Sequence, residues 1–458
     1  MDAKTLFLDS NRFDLIFKYL YLTMKNKNQE FFAKMYLENI RAFNNFHEDE
    51  PSDGVPKESG EDFLNAFDNL YNSIKNKGYN QSQTLPIGNN GEISDGAHRL
   101  VCAAVLNLDV PVENDGRNDE YDYSFFMERR FNKQYADYGA IEYVKLQPDS
   151  YIVNLHAVVG EQYDIQVEKI LKKYGRIYYK KKVPLNYNGY VNLKKLSYGS
   201  FWEREKWIGS VENRYAGAQD HALHSKGNGK NLRAYVYVCK NPDDLLKIKS
   251  EVRDLFKIGN YCIHINDSHE EAIALAQLFF NDNSIQIYNL RPFCFESADY
   301  DSNIDDFKNR IKKDKLQIED FLIGGSSPLN ILGVRKSEDI DFLYCGNKIF
   351  TGEDDLISSH DTELNYYPES KENLVYDNNN FFYYHGMKVI SLEVLYKLKS
   401  KRNEKPKDVR DCKIIKRLKK GASSRSIKRY SFFRKPYNSL LLYRILRKLY
   451  RLIFRKGK

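Results

Sequence analysis

Apolar residues recur at helical spacing over residues 11–24 and 28–45, with Phe, Tyr and Leu gathered on one face of each segment. The pattern predicts two amphipathic helices. An acidic, Pro-containing stretch at His47–Ser59 reads as a loop. Glu61–Lys77 reads as a third helix closed by Gly78, a residue suited to the position just past a helix end. The period then drops toward two. Thr84–Ile87 and Glu92–Ser94 read as short strands about an Asn89-Asn90-Gly91 turn, and Asp95-Gly96-Ala97-His98-Arg99 opens a helix running to Leu106.

Further along, Tyr151–Val159, Arg176–Val183, Arg233–Val238, Tyr261–Ile265 and Ser284–Tyr288 read as strands, with helices over Gln162–Lys173, Pro242–Leu255 and Glu270–Phe280. The segment from Ala216 to Lys230, carrying His221, His224 and Lys226, reads as a flexible basic loop. Its Gly-Lys-Asn end lacks the Ser/Thr and the upstream glycine that a phosphate loop requires. His264, Asp267, His269 and Glu270 are metal-capable but follow no zinc spacing, and read as a solvated strand-to-helix turn with Asp267 or Ser268 near the N-cap. Beyond residue 300, a helical run is expected to end at Ile323, before Gly324-Gly325. Asp339–Leu343, Thr362–Tyr367 and Asn380–Val389 read as strands, and Ser391–Lys401 and Asp408–Leu418 as helices. The alternation of strands with helices implies an α/β chain, α+β in its multidomain arrangement. The expected divisions are 1–120, 121–300, 301–420 and 421–458.

Composition refines the picture. A chain of 458 residues is too long for one core, and 35 Tyr and 27 Phe indicate a folded protein. Six scattered cysteines without a Cys-x-x-Cys pair argue against a zinc ribbon or disulfide scaffold and for a reducing compartment. With neither a signal peptide nor an apolar run of membrane-spanning length, a cytoplasmic protein is expected. The net charge of +8 is uneven: residues 421–458 hold twelve Lys/Arg and no acid, which leaves 59 basic against 63 acidic residues elsewhere, a net of −4. A nucleic-acid-binding body is therefore not expected. In the tail, Leu442, Ile445, Leu446, Leu449, Leu452 and Ile453 share one helical face, and Arg444, Arg447, Lys448, Arg451 and Arg455 fill the other. Such a helix suits the anionic inner face of a membrane, lying on it rather than crossing. An RNA-binding arm and a helix docking on an acidic partner are the other readings.

Two stretches carry chemistry. Asp339 and Asp341 sit at i and i+2, so on a strand both carboxylates face one side and repel unless a cation lies between them. Mg²⁺ is the fitting ion, since it takes one or two carboxylates and completes its shell with water and substrate phosphates. Gly324-Gly325-Ser326-Ser327, with small side chains and free N–H groups, suits the phosphates. The second stretch is Asp95-Gly96-Ala97-His98-Arg99. Gly96 lets backbone approach a ligand, and a His and an Arg in a first helical turn oppose the helix dipole unless an anion is bound.

The Gly-Gly-Ser-Ser turn followed by Asp-Ile-Asp resembles the nucleotidyltransferase superfamily, whose fold is shared with DNA polymerase beta, over residues 301–420. The resemblance implies a small mixed sheet, two-metal transfer from a nucleoside triphosphate, and a third carboxylate, for which Asp361, Glu363 and Asp377 qualify. Glu363 is preferred because it is expected to share a strand face with Asp361. Lys399 is the candidate contact to triphosphate. Residues 45–115, with Asp95, Gly96, His98 and Arg99, resemble the ParB/sulfiredoxin-like superfamily, which implies binding of ATP or CTP and, in kinase-like members, an upstream glutamate such as Glu48 or Glu50. Sulfiredoxin chemistry is not expected, because no Cys adjoins a Gly ahead of Arg99. The joint expectation is a Mg²⁺-dependent nucleotidyl- or phosphotransferase acting on a sugar- or polyol-type acceptor in cell-surface polysaccharide assembly. The alternative is a CTP- or ATP-switched binding protein with a degenerate transferase domain and a nucleic-acid-binding tail.

Overall fold

The computed structural model describes all of residues 1–458 except 49–55, 201–205, 338, 404–405 and 422–458. Glu50 and the basic amphipathic tail thus lie outside the described residues. Helix and sheet are mixed throughout, with the strands forming three small sheets.

The N-terminal part is chiefly helical: Leu15–Met24, Gln29–Asn44, Gly60–Lys77 and Ala97–Val105 follow a short first helix, Ala3–Asp9. Local chemistry sets their ends. Asn28 accepts from the Phe31 N–H, and Ser59 and Asp62 close a reciprocal capping box ahead of the Gly60–Lys77 helix. β1 (Leu85–Ile87) pairs in parallel with β2 (Val112–Asn114). The second strand expected at Glu92–Ser94 is only an isolated bridge between Ile93 and Ile87.

The middle of the chain forms a four-stranded antiparallel sheet from β3 (Ser150–Leu155), β4 (Arg176–Val183), β5 (Leu232–Val238) and β6 (Ile263–Ile265), in the order β4-β5-β3-β6. Helices Asp164–Tyr174 and Asp243–Phe256 connect β3 to β4 and β5 to β6, giving a split β-α-β-β-α-β arrangement. Val153, Leu155, Tyr235, Tyr237, Ile263 and Ile265 pack with those two helices in one apolar cluster. Between β4 and β5 the chain inserts two further helices, Tyr187–Lys195 and Ala216–Lys226. The basic loop expected at Ala216–Lys230 is therefore mostly helix. Ser284–Tyr288, expected as a strand, lies inside the helix Asp282–Leu290, whose start is fixed by Asn281 accepting from the Ser284 N–H.

The C-terminal sheet has five strands: β7 (Phe321–Ile323), β8 (Ile340–Tyr344), β9 (Ile357–Ser359), β10 (Phe381–Tyr384) and β11 (Met387–Ile390), in the order β10-β11-β7-β8-β9. It is mixed, with β7–β11 and β8–β9 parallel and β7–β8 and β10–β11 antiparallel. Three expectations are corrected here. The run ending at Ile323 is a strand, not a helix. Thr362–Tyr367 lies in a 3₁₀ helix, Asp361–Tyr366, so Asp361 and Glu363 do not share a strand face. Asn380–Val389 is a hairpin, because His385 and Gly386 take φ of 48° and 76° and reverse the chain in two residues. One apolar core runs from Ala3 to Leu418, crossing positions 120 and 300.

Candidate active site

β7 and β8 are paired through Ile323 and Phe342, which places the turn after β7 directly beside Asp341. Gly324 donates its N–H to the Asp341 carbonyl at 2.7 Å. Gly325 has φ +58°, and a Cβ there would lie 1.8 Å from Asp341 Oδ2. The carboxylate thus occupies the space that any other residue at 325 needs. A Cβ on Gly324 would lie 2.6 Å from the Tyr367 hydroxyl. Both glycines are demanded by close approach, and Gly325 also by its backbone. Ser326 and Ser327 follow, and Ser327 opens a helix of five residues, Ser327–Ile331. With so short a helix, the turn's N–H groups matter more than a macrodipole.

Asp339 stands exposed just ahead of β8, its Oδ1 accepting from Ser337 Oγ at 2.9 Å. Asp341 is half-buried. Burial pushes its carboxyl above the usual aspartate range, His360 opposes that, and the like charge of Asp339 adds to it. In register, Asp341 faces Ser358 on β9, and His360 follows two residues on, which returns it to the same side of the sheet. His360 Nδ1 lies 2.7 Å from the Tyr367 hydroxyl. Burial lowers the His360 pKa, while Asp341 and Glu363 pull it up.

Glu363 accepts from Arg402 Nη1 at 3.2 Å. Arg402 also makes a two-pronged pair with Asp408, at 3.1 and 2.8 Å. Lys399, almost wholly buried, lies 3.2 Å from Asp408 and 3.8 Å from Asp411. Asp411 meets Arg335 Nη1 at 2.5 Å, and the same nitrogen donates to Ser326 Oγ at 2.7 Å. A continuous charged chain therefore runs from the Gly-Gly-Ser turn to Glu363. Burial raises the Asp408 carboxyl, but Arg402 and Lys399 outweigh it and hold the pKa at about 2. Burial pushes Asp411 up and Lys399 down. Of the other third-carboxylate candidates, Asp361 pairs with Lys371 at 2.7 Å. Asp377 ends the Lys371–Tyr376 helix, and its neighbour Asn378 bonds to the Gln134 carbonyl, in another part of the molecule.

The structure thus sets Asp341 on β8 against Gly324 and Gly325, leaves Asp339, expected on the same strand, exposed just ahead of it, and places Glu363 and Lys399 in a salt-bridge chain that reaches Ser326. Among the described residues, no three His, Cys, Asp or Glu side chains are grouped to hold a metal ion. Two carboxylates do fit an ion that completes its shell with water and phosphate oxygens. His360, Tyr367 and Arg335 carry no signal in the sequence reading, whereas Arg402 belongs, with Lys399, Asp408 and Asp411, to the series that resembles the helical region following the transferase core.

At the second stretch, Gly96 has φ +77° and caps the Ala97–Val105 helix. His98 Nε2 is 2.9 Å from the Tyr36 hydroxyl, and its ring packs edge-on to Phe67 at 4.7 Å. Arg99 donates to the Thr84 carbonyl at 3.3 Å and stands 4.0 Å from the exposed Asp95. Burial pushes the His98 pKa well down. His98 is thus engaged with Tyr36 and Phe67, while Asp95 is exposed and Gly96 and Arg99 are half-buried. Glu48 pairs with Lys57 at 2.6 Å. No protein-family model, no curated protein and no solved structure matches the chain.

Proposed function

We propose that the Gly324–Asp341 site transfers a nucleotidyl or phosphoryl group from a nucleoside triphosphate. The observation that carries this reading is the Asp341 carboxylate seated on Gly325, which puts that acid directly against the small-residue turn. Asp339 and Asp341 would hold Mg²⁺, which when bound neutralises triphosphate charge and acidifies an attacking hydroxyl. The turn from Gly324 to Ser327 orients phosphate oxygens, with Ser326 steadied by Arg335. His360, beside Asp341 and held by Tyr367, is placed to take a proton from an acceptor hydroxyl. A sugar- or polyol-type acceptor suits that chemistry.

The Asp95–Arg99 segment is assigned a separate nucleotide contact, through Gly96 and Arg99. Among the described residues no helix is long and apolar enough to cross a membrane, and association with an anionic inner face is assigned to the basic tail. Action in polysaccharide assembly is part of the same proposal. The pairing of Glu363 with Arg402 favours one second reading, in which the transferase site is degenerate and the chain is a nucleotide-switched binding protein. Incubating the protein with each labelled nucleoside triphosphate, with and without Mg²⁺, separates the two. Transfer or pyrophosphate release lost in Asp341→Asn supports the enzyme; binding without turnover supports the switch.

A further inference from the structure

A second group of titratable side chains lies on the face of the β3–β6 sheet opposite helices Asp164–Tyr174 and Asp243–Phe256. Asn154 on β3 and His264 on β6 are register partners, and His156 follows Asn154 by two residues. The helices inserted between β4 and β5 supply the other side. Lys194 Nζ lies 2.8 Å from His156 Nε2, and Ser225 Oγ lies 3.0 Å from His221 Nδ1. A third helix, His269–Phe279, brings Glu271, whose Oε1 is 2.8 Å from His264 Nε2, and His264 Nδ1 meets the Tyr198 hydroxyl at 3.2 Å.

The cluster is deeply buried: Asn154 and His156 are 0% exposed, Lys194 1% and His221 5%. Four of its polar atoms have no protein partner, namely Asn154 Oδ1 and Nδ2, His156 Nδ1 and His221 Nε2. Buried polar groups are almost always paired, so such a concentration calls for a reason. Lys194 bonds to His156 and forms no carboxylate pair within 4 Å among the described residues, and burial brings its amine down to about 7. Glu271 is already committed to His264 and, through Oε2, to the Asp267 N–H at 3.2 Å.

The donors define the ligand. If Ser225 donates to His221 Nδ1, the proton sits on Nε2 and points a free N–H inward. An ammonium on Lys194 donating to His156 Nε2 likewise leaves Nδ1–H free, Asn154 Nδ2 adds a donor, and Asn154 Oδ1 is an acceptor suited to a protonated phosphate oxygen. Ammonium and N–H donors without an available carboxylate repel a metal ion and suit an anion with several acceptor oxygens. Next to His221, Trp207 is 40% exposed with its ring 5.4 Å away, and the Tyr261 ring lies at 4.9 Å. We propose that this cluster binds the phosphoryl group of a small phosphate ester, with Lys194 as counter-ion and the approach lying past the Trp207 and Tyr261 rings beside His221. A phosphoryl group brings charge and three acceptor oxygens to donors that otherwise lack partners. The site is distinct from Asp341 and does not depend on the role assigned there.

The test uses the full-length protein, equilibrium dialysis and thermal unfolding, with inorganic phosphate, ribose 5-phosphate and uncharged ribose as probes. Phosphate and ribose 5-phosphate should bind and raise the melting temperature, the ester more, while ribose does neither. Asp341→Asn should keep this response. Lys194→Met should leave the ligand-free melting temperature unchanged or higher, because it removes an uncompensated buried cation, and should abolish the phosphate response. His221→Ala, beside the exposed Trp207, should weaken binding at least tenfold. The proposal is overturned if wild type binds neither phosphate probe, or if both variants bind them as wild type does. A marked fall in the ligand-free melting temperature of Lys194→Met would also overturn it, by making Lys194 a structural residue.

Discussion

Replacing Gly325 by Ala tests the seating of Asp341, and a second glycine serves as its control. Gly325 and Gly386 both hold left-handed backbone, at φ +58° and +76°. A Cβ on Gly325 meets Asp341 Oδ2 at 1.8 Å, whereas nothing lies within 4 Å of one on Gly386. Both substitutions carry the backbone penalty of a left-handed non-glycine residue, roughly 1–2 kcal/mol. Gly325→Ala adds the cost of overpacking, about 1–3 kcal/mol, or else drives the carboxylate off the turn. Displacing a catalytic group by about 1 Å can cost on the order of 100-fold in rate. Urea unfolding of the pair should therefore show Gly325→Ala less stable by about 1–3 kcal/mol, unless the carboxylate yields. In either case Mg²⁺-dependent turnover should fall about 100-fold in Gly325→Ala and stay near wild type in Gly386→Ala. Full turnover in Gly325→Ala would refute the reasoning, since Asp341 would then not need its place on the turn.

Four further outcomes are expected. Burial raises the folded-state pKa of Asp341, so ionising it works against folding; this favourable protonation is complete below the ordinary aspartate pKa and fades as pH rises through the raised value. Asp341→Asn should thus melt at or above the wild-type temperature at pH 7 and lose that relative advantage in acid, while turnover is abolished at every pH. Arg402→Met leaves Asp408 and Glu363 without their guanidinium partner and should lower stability by about 3 kcal/mol, read by chemical denaturation. Arg99→Ala should weaken nucleotide binding measured by calorimetry by roughly 1.5–3 kcal/mol, the usual worth of a charge-assisted contact, without altering transfer at Asp341. Leu446→Glu with Leu449→Glu should abolish sedimentation with anionic liposomes, since an interfacial helix needs its apolar face; retained pelleting would instead assign the tail an electrostatic role.

The small-residue turn and the strand bearing Asp341 were legible in the sequence because their chemistry is local, whereas Asp339, expected on that strand, lies just ahead of it. The contact between turn and strand was not legible, since it depends on β7 and β8 pairing across sixteen intervening residues, Gly324 to Asp339. Long amphipathic helices such as Gly60–Lys77 were readable for the same local reason, helped by the Ser59 cap. Ser284–Tyr288 misled through its alternating Ile residues, where capping by Asn281 and burial of Ser284, Ile285 and Ile287 select helix over strand. β9 is only three residues long, too short to show a period, so the pattern marks a strand over the 3₁₀ turn that follows it instead of over β9 itself. The salt-bridge chain through Arg335, Asp411, Lys399, Asp408 and Arg402 was equally hidden, because no spacing rule links a loop arginine to a helix 76 residues away. The preference for Glu363 rests on a strand face shared with Asp361, which the 3₁₀ helix removes, and that for Lys399 on the family resemblance; the fold gives each a partner of opposite charge.

The most direct measurement is binding of labelled nucleoside triphosphates to wild type, Asp339→Asn and Asp341→Asn at fixed protein concentration, with and without Mg²⁺, since it needs no acceptor. A Mg²⁺-dependent component of binding is expected in wild type, and both variants should lose it while remaining folded. Binding that is indifferent to Mg²⁺, or equal in all three proteins, would contradict it.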